Sequence, residues 1–268
     1  MAVITISRQL GSFGEEIATA VADKLNYEYI HKQKIGEALA GHGFRASDFK
    51  KYDEKKPSIW QSLLEQTRNF QSLLRAVIYD FAIKENTVIV GRGGQILLKD
   101  LPGVLHMRII APFKTRMNRL MAEGYEEKNA ERALRQRDRD SSGYIYSFFG
   151  ANWDDAELYD LVLNTKSISS DTGIKLILDT LDSREFKEIP KETTEKLGDL
   201  ALTHKVETAI MEIPGLSWAN LYVDKGVANI SGTANSDSTI VECKRIVSGI
   251  QGIKSVDSQL FVKRDLGD

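Results

Sequence analysis

Two glycines, Gly11 and Gly14, lie between a short apolar run and a helical pattern close to the start of the chain. The apolar run, Val3–Ile6, is rich in β-branched residues and suits a buried strand. Glycine allows positive φ and close backbone approach, and N–H groups at the start of a helix bind phosphate. With Ser12, the glycines predict a phosphate-binding loop, and Arg8 would add positive charge. The alternative is a tight strand-to-helix turn without a ligand.

The residues after this loop differ in charge from those of a common nucleotide-binding motif. In the form G-x-x-x-x-G-K-[ST], the lysine contacts the β- and γ-phosphates and the hydroxyl contacts Mg²⁺. This chain instead has Glu15 and Glu16 after Gly14. Glu15 would repel a γ-phosphate, unless it turns towards solvent or engages Mg²⁺ through water.

Length and composition allow two folded domains and exclude several classes of protein. The chain has 268 residues and 42% hydrophobic content, which is enough for a core in each of two domains. Cys243 is the only cysteine, so an intrachain disulfide is excluded, and no apolar stretch approaches the roughly 20 residues that span a membrane. Met1 leaves no room for a secretory signal before the first strand. We therefore expect a cytoplasmic protein.

Neither the charge nor the histidines indicate a nucleic-acid-binding or metal-binding protein. The chain has 36 basic and 38 acidic residues and a formal charge of -2, so no overall positive field is present to hold nucleic acid. His42, His106 and His204 show no metal-ligand spacing with one another or with Cys243. We expect no metal held by protein ligands alone.

Short apolar runs alternate with amphipathic stretches up to residue 183, which predicts an α/β domain with a parallel sheet. The predicted strands are Val3–Ile6, Thr87–Val90, Val104–Ile110 and, more weakly, Leu161–Leu163. Apolar residues recur with helical period across a wide stripe in Trp60–Lys84, which predicts a core helix or a homodimer helix. The stretch Tyr125–Tyr146 is polar nearly all round and predicts either a solvated helix or a lid.

The C-terminal residues predict a second, smaller domain. Residues 184–198 are charged and interrupted by Pro190, which indicates a linker between a domain at 1–183 and a domain at 199–268. Beyond the linker the pattern is helix, strand, strand, helix, strand, at His204–Ile213, Ser217–Val223, Gly226–Gly232, Ser238–Ile250 and Ile253–Val262. This αββαβ unit would bury one face of a sheet beneath two helices.

Four segments in order resemble the cytidylate-kinase-like family, a branch of the nucleoside monophosphate kinases. They are ITISRQLGSFGEEIATAVADKL, VIVGRGGQILL, LHMRIIAPFKTRMNRLM and RDRDSSGYIYSFFGANWDDAELYDLVLNT. The resemblance implies a P-loop kinase fold, in which helices wrap a parallel sheet, with a monophosphate-binding region and a mobile lid. Residues 206–262 resemble a BON domain, a small αββαβ module often linked to phospholipid or envelope association.

The kinase resemblance also implies site residues, with ATP and Mg²⁺ as cofactors. The loop would hold the donor nucleotide with Arg8, Gly11, Ser12 and Gly14. Arg92, which stands among glycines after a strand, would grip the acceptor monophosphate, since a planar guanidinium suits a terminal phosphate. A lid cluster would close over the transferring phosphoryl group, with the catalytic residues Arg137, Asp138 and Arg139. The alternatives are a surface arginine and a solvated helix face.

Three departures from the family pattern leave more than one function open. The sequence has Glu15 and Ser141 where relatives carry basic residues, and His31 where they carry an aspartate. The first hypothesis is an ATP-dependent kinase for a nucleoside monophosphate such as CMP, fused to a BON-like module. The second is a catalytically degenerate nucleotide-binding or scaffold protein whose BON-like domain docks to a membrane or a protein partner. A third makes the acceptor a different phosphate-accepting molecule.

Overall fold

The computed structural model describes residues 2–41, 64–183 and 185–263. In chain order its elements are β1 (Val3–Arg8), α1 (Gly14–Leu25), β2 (Glu28–Ile30), α2 (Lys32–Gly41), α3 (Leu64–Ile83), β3 (Thr87–Val90), α4 (Gly94–Leu97), β4 (Val104–Ile110), α5 (Phe113–Ala122), α6 (Glu127–Phe149), a 3-10 turn (Ala156–Leu158), β5 (Leu161–Asn164), α7 (Ser170–Leu181), α8 (Lys191–Met211), β6 (Leu216–Asp224), β7 (Val227–Ala234), α9 (Asp237–Ser248) and β8 (Ser255–Val262).

Contacts among the described residues divide them into two compact units. The first unit is drawn from residues 2–41 and 84–190, and the second from 64–83 and 191–263. The sequence analysis assigned everything up to residue 183 to one domain, whereas this division places α3 with the C-terminal residues.

The first unit is built on a five-stranded sheet in the order β2-β3-β1-β4-β5. Every pairing is parallel, which confirms the predicted α/β architecture. The predicted strands all form, while β2, three residues long, was not among them. The central strands are buried because α1 and α7 pack over one face of the sheet, with core residues Ile4, Ile6, Ile17, Leu105, Met107 and Ile177. Since parallel strands end at the same edge, the segments that follow β1, β3 and β4 lie together.

The second unit contains a three-stranded mixed sheet in the order β6-β7-β8. The strands β6 and β7 pair antiparallel, and β7 and β8 pair parallel. The helices α8 and α9 cover one face, and the buried core between them and the sheet includes Val206, Ile210, Val223, Ile230, Cys243 and Val247. The order from α8 to β8 confirms the predicted αββαβ pattern, and Cys243 is a free, buried core residue.

The helix α3 belongs to this second unit because its apolar stripe packs along α8. Phe70, Leu74 and Ile78 are fully buried. This contact within one chain accounts for the stripe, so the stripe no longer supports the predicted homodimer. The part of the predicted helix from Trp60 to residue 63 lies outside the described residues.

The helix α8 begins at Lys191, inside the stretch 184–198 that the sequence analysis assigned to a linker. It buries Thr193 and Leu197 in its first two turns. The charged composition that indicated a linker is therefore that of a helix with one buried side. Among the described residues, no helix is long and apolar enough to cross a membrane.

Candidate active site

The predicted phosphate loop is the turn that joins β1 to α1. Gly11 and Phe13 adopt positive φ, at 71° and 63°, and so turn the chain sharply before α1 begins. A Cβ on Gly14 would lie 2.3 Å from the Cβ of Arg8, so only glycine lets the helix start this close to the strand. The Ser12 hydroxyl donates to the carbonyls of Gln9 and Ile109, at 2.7 and 3.1 Å. The Ser12 backbone N–H also donates to the Gln9 carbonyl, at 3.2 Å, and Ser12 is fully buried. Ser12 therefore shapes the turn from inside, and the structure does not place it at a ligand site as the sequence analysis expected.

A cleft of about 170 Å³ opens beside this turn, and we call it the loop cleft. Side chains of both charge signs line the loop cleft. Arg8 and Arg137 are basic, and the acidic residues are Glu15, Glu16 and Glu123. Backbone N–H groups at the start of a helix and guanidinium groups are features with which proteins hold anions, and this cleft contains both. The three carboxylates distinguish it from an ordinary phosphate cradle.

Glu15 is partly exposed to solvent, and its carboxylate bonds to two neighbouring side chains. Its Oε1 accepts from Nε and Nη2 of Arg8, at 3.1 and 2.5 Å, and its Oε2 accepts from the Tyr29 hydroxyl at 2.6 Å. Burial alone would raise the pKa of the Glu15 carboxyl, but the charge of Arg8 and these hydrogen bonds outweigh it and hold the pKa below its usual value. Burial and the bond to Glu15 raise the pKa of Tyr29 to about 12.

A second cleft, of about 20 Å³, lies at the ends of β1 and β3, and we call it the Arg92 cleft. Arg92 is only 1% exposed and adopts a positive φ of 57° between two glycines. Its guanidinium lies over the Tyr144 ring, 5.7 Å from the centroid. The cleft is also lined by Ser7, Arg8, Gln95, Ser141 and Trp153. Arg8 thus borders both clefts.

A buried polar network fixes the wall of the Arg92 cleft. The Trp153 indole N–H donates to the Ser7 hydroxyl at 2.8 Å, and the Tyr159 hydroxyl donates to the Trp153 carbonyl at 3.0 Å. The Arg108 guanidinium lies 4.1 Å from the Trp153 ring centroid and pairs with Asp154. This network ties the segment after α6 to β1 and β4, and so fixes the shape of the cleft before a ligand arrives.

The three charged residues predicted for the lid occupy different positions on α6. Arg137 lines the loop cleft. Asp138 accepts from Nη1 and Nη2 of Arg116, at 3.0 and 2.8 Å, and this arginine is 4% exposed. Arg139 is exposed and donates to Gln136 at 3.0 Å. The structure thus brings Arg137 to the loop cleft, whereas Asp138 holds the buried Arg116 and Arg139 faces solvent.

A model of the cytidylate kinase-like family matches residues 3–167. The chain belongs to this family. It is 27% identical over 187 residues to the cytidylate kinase of Archaeoglobus fulgidus. The aligned region covers 69% of this chain and 97% of that protein. It is also 31% identical over 100 residues to the uronate isomerase of Corynebacterium glutamicum, but covers only 19% of that protein. A crystal structure of an uncharacterized protein from Eubacterium ventriosum covers 69% of this chain and all of that chain, with 24% identity and a TM-score of 0.55.

Two further arginines lie near the loop, and the sequence analysis named neither: Arg116 is buried and Arg119 is partly buried. Arg116 donates from Nε to the Ala111 carbonyl at 3.0 Å. Arg119 donates to the carbonyls of Gly11 and Thr165, at 3.0 and 2.6 Å, and lies 3.8 Å from the Phe13 ring centroid. Burial lowers the pKa of Arg119. Both residues lie on α5 and support the loop between β1 and α1 through its carbonyl groups. Their spacing of one helical turn in LHMRIIAPFKTRMNRLM could have indicated that they act on the same neighbour.

The aromatic residues at the end of α6 and the carboxylate of Asp160 contribute to the fold around the Arg92 cleft. Tyr144 and Phe148 stack with a centroid distance of 4.6 Å, and a Cβ on Gly93 would lie 2.3 Å from the Phe149 ring. Asp160 accepts from the backbone N–H of His106 at 2.7 Å. The aromatic residues therefore pack where α6 ends against the glycines after β3, and Asp160 supports β4.

Proposed function

We propose that the protein transfers a phosphoryl group from ATP to a nucleoside monophosphate, with CMP as the first candidate acceptor. The observation that carries the proposal is that Arg8 borders both the loop cleft and the Arg92 cleft. A phosphoryl group that passes between two nucleotides needs a cation beside both the leaving and the attacking oxygen. The family membership and the similarity to cytidylate kinases along 69% of the chain support the same reaction.

In this proposal each cleft binds one substrate. The loop cleft takes the phosphates of ATP on the backbone N–H groups of Gly11 and Gly14, with Arg137 beside them. The Arg92 cleft takes the acceptor phosphate, which Arg92 grips with its planar fork. Arg8 offsets the charge that develops between the clefts. Catalysis then rests on position and charge rather than on a covalent intermediate.

Two of the predicted lid residues act differently from Arg137. Asp138 acts through Arg116 and is a positioning residue, because its carboxylate is occupied by that guanidinium. Arg139 points to solvent in this conformation and would reach the transferring group only after α6 moves. Closure of such a segment over substrates is common in phosphoryl-transfer enzymes.

The residues present fit Mg²⁺ that arrives with the nucleotide. Mg²⁺ binds to substrate phosphates with one or two carboxylates and keeps several waters, and Glu15, Glu16 and Glu123 line the loop cleft. No group of three candidate metal ligands occurs in the described parts of the chain, so the phosphates would supply the remaining ligands. When bound, Mg²⁺ would offset part of the charge on the phosphates.

The experiment that tests this function is phosphoryl transfer from labelled ATP with Mg²⁺ to CMP, dCMP, UMP, AMP and GMP. We expect turnover with at least one acceptor and its loss in Arg92→Ala. The matched control is Arg132→Ala, which removes an exposed arginine of α6 that lines neither cleft. A folded protein without turnover on the whole panel would contradict the proposal, and a screen of other phosphate acceptors would then follow.

A second candidate is a nucleotide-binding or scaffold protein without turnover. It is favoured by the pairing of Arg8 with Glu15, which offsets the positive charge of the loop cleft, and by Ser141 at the wall of the Arg92 cleft. The double variant Glu15→Lys with Ser141→Arg separates the candidates. Turnover only in that variant supports the degenerate site, and turnover of the unaltered protein removes this candidate.

We propose that the second unit is a BON-like module that docks to a membrane or a protein partner. The support is its αββαβ order and one-sided sheet, together with the sequence resemblance. The test is co-sedimentation of the full chain with anionic vesicles at low salt, compared with neutral vesicles. Recovery in the supernatant with both kinds of vesicle would rule out the membrane as its partner.

A further inference from the structure

The carboxylate of Glu15 is the feature of the loop cleft that the proposed function leaves without a role. It lies one residue beyond Gly14, where the common nucleotide-binding motif has a lysine. Both of its oxygens are bonded, one to Arg8 and the other to Tyr29. Because two elements hold it, β1 through Arg8 and β2 through Tyr29, the carboxylate is fixed at the cleft.

This carboxylate is ionised at neutral pH and changes the charge that a ligand meets. Arg8 and Glu15 together carry no net charge, so the loop cleft keeps Arg137 as a cation but also contains Glu16 and Glu123. A metal-free triphosphate brings only negative charge to this place. Repulsion between like charges at short range is costly where solvent is partly excluded.

A divalent cation on the triphosphate reduces this repulsion and adds an attraction to the carboxylate at short range. The cation offsets part of the phosphate charge, and a carboxylate oxygen is a ligand that Mg²⁺ accepts directly or through water. We infer that Glu15 is a specificity-determining residue that makes the loop cleft select a triphosphate carrying a divalent cation over the metal-free anion. This inference rests on the proposed function only in placing the triphosphate in the loop cleft.

The opposite role for Glu15 would be to orient Arg8 towards phosphate. In that case removal of the carboxylate charge would weaken binding of ATP whether or not Mg²⁺ is present. Selection by charge predicts instead that the removal strengthens the binding of metal-free ATP and leaves that of Mg²⁺-ATP nearly unchanged. The two roles thus predict opposite changes in the affinity for metal-free ATP when the Glu15 charge is removed.

The experiment is a calorimetric titration of the full chain with ATP, once with Mg²⁺ and once with EDTA. We expect the unaltered protein to bind Mg²⁺-ATP more tightly than metal-free ATP. We expect Glu15→Gln to strengthen binding of metal-free ATP about tenfold, the effect of one unit charge near a ligand at intermediate dielectric. Glu15→Ala should strengthen the binding of metal-free ATP to a similar extent, which would show that the effect does not come from new hydrogen bonds of the glutamine.

Two further variants isolate the carboxylate charge. Asp23→Asn makes the same charge change on α1 but away from the loop cleft, so its preference for Mg²⁺-ATP should equal that of the unaltered protein. Tyr29→Phe removes the hydroxyl bonded to Oε2 and keeps the negative charge, so the preference should persist. Thermal unfolding of each variant verifies that it is folded.

Each outcome decides the inference, and decides it separately from the proposed function. An unchanged preference in Glu15→Gln and Glu15→Ala overturns the inference while phosphoryl transfer can still stand. Binding of metal-free ATP gained only by these variants supports the inference even if the unaltered protein has no kinase activity. Failure of the unaltered protein and of both variants to bind ATP under either condition overturns the inference together with the placement of ATP in the loop cleft.

Discussion

The two clefts of the first unit differ in how their arginines are held. In the Arg92 cleft, Arg92 is fully buried and fixed by a positive φ between glycines, and the adjacent wall is bonded through Ser7 and Trp153. In the loop cleft, Arg8 has an ion pair with Glu15, whose side chain is 54% exposed. The first cleft is rigid and its cation is aimed by the backbone, while the second is more open and its cation is shared with a carboxylate.

This difference indicates where binding energy and selectivity arise. A buried, preorganised guanidinium loses little freedom when a phosphate binds, so the Arg92 cleft is built for affinity. A guanidinium beside an ionised carboxylate gives less net attraction to an anion, so the loop cleft is built to discriminate between ligands by charge. Four changes test this comparison, from the largest expected effect to the smallest.

The largest effect is expected from Arg92→Ala, which removes the cation of the rigid cleft. Loss of one preorganised donor at a transferring group costs about a thousandfold in rate, so we expect kcat/KM for the acceptor to fall by about that factor. The KM for ATP should change little, because the loop cleft is intact. Steady-state kinetics with each substrate varied in turn measure both quantities. Equal losses for ATP and acceptor would contradict a separate acceptor cleft.

Asp138→Ala tests the buried ion pair that supports the loop cleft from α5. It leaves the buried Arg116 guanidinium without its carboxylate, and because Asp138 is itself 29% exposed we expect a cost of about 2 to 3 kcal/mol, at or below the lower limit for a fully buried pair. The matched control is Glu131→Ala on the same helix, whose pair with Arg135 is exposed and worth less than about 1 kcal/mol. Urea unfolding of both variants measures the difference. Similar losses in the two would show that Asp138 is not an anchor.

Arg137→Ala removes the α6 cation of the loop cleft. Because Arg137 is half-buried and solvent screens its charge, we expect a fall in kcat/KM for Mg²⁺-ATP of about thirtyfold, smaller than the effect of a fully buried donor. Arg139→Ala is the informative comparison, since Arg139 faces solvent two residues away. An effect of Arg139→Ala as large as that of Arg137→Ala would mean that α6 rotates or closes during turnover.

The strands and the glycine-bounded turns of the first unit were predictable because their signals are local. The run Thr87–Val90 is entirely β-branched and Val104–Ile110 is mostly apolar, and the observed strands have the same bounds. In contrast, β2 has only three residues and begins with Glu28, so it carries no pattern. The stripe of α3 predicts that one face is buried but not which partner covers it, and the partner, α8, lies more than a hundred residues further along.

The parts of the site that escaped prediction depend on contacts distant in sequence. The bond from Trp153 to Ser7 joins residues 146 apart, and neither residue belongs to a motif that signals the other. Glu15 was identified as a departure from the common motif, but its partner Tyr29 emerges only when β2 is placed beside β3. A sequence shows which charges are present near a loop, whereas the pairing of those charges requires the fold.

The smallest effect concerns the contribution of the Glu15 ion pair to stability as pH changes. The pKa of Glu15 in the folded protein is lower than its ordinary value of 4.5. The pair therefore stabilises the fold fully above about pH 4.5, and this contribution is lost as the pH falls through the lower folded-state pKa. Because the Glu15 side chain is 54% exposed, solvent screening keeps the contribution below about 1 kcal/mol.

Comparing the unaltered protein with Glu15→Gln across pH measures this contribution, because the glutamine does not titrate. We expect the unaltered protein to be slightly more stable at pH 7 in urea unfolding, and the two curves to converge as the pH falls below 4.5. If the variant is instead more stable at pH 7, then Glu15 is strained by its neighbours Glu16 and Glu123 more than it is stabilised by Arg8. The carboxylate that we propose for selectivity would then lower the stability of the fold. The loop cleft would differ from the Arg92 cleft in this cost to stability as well as in the ion pair of its arginine.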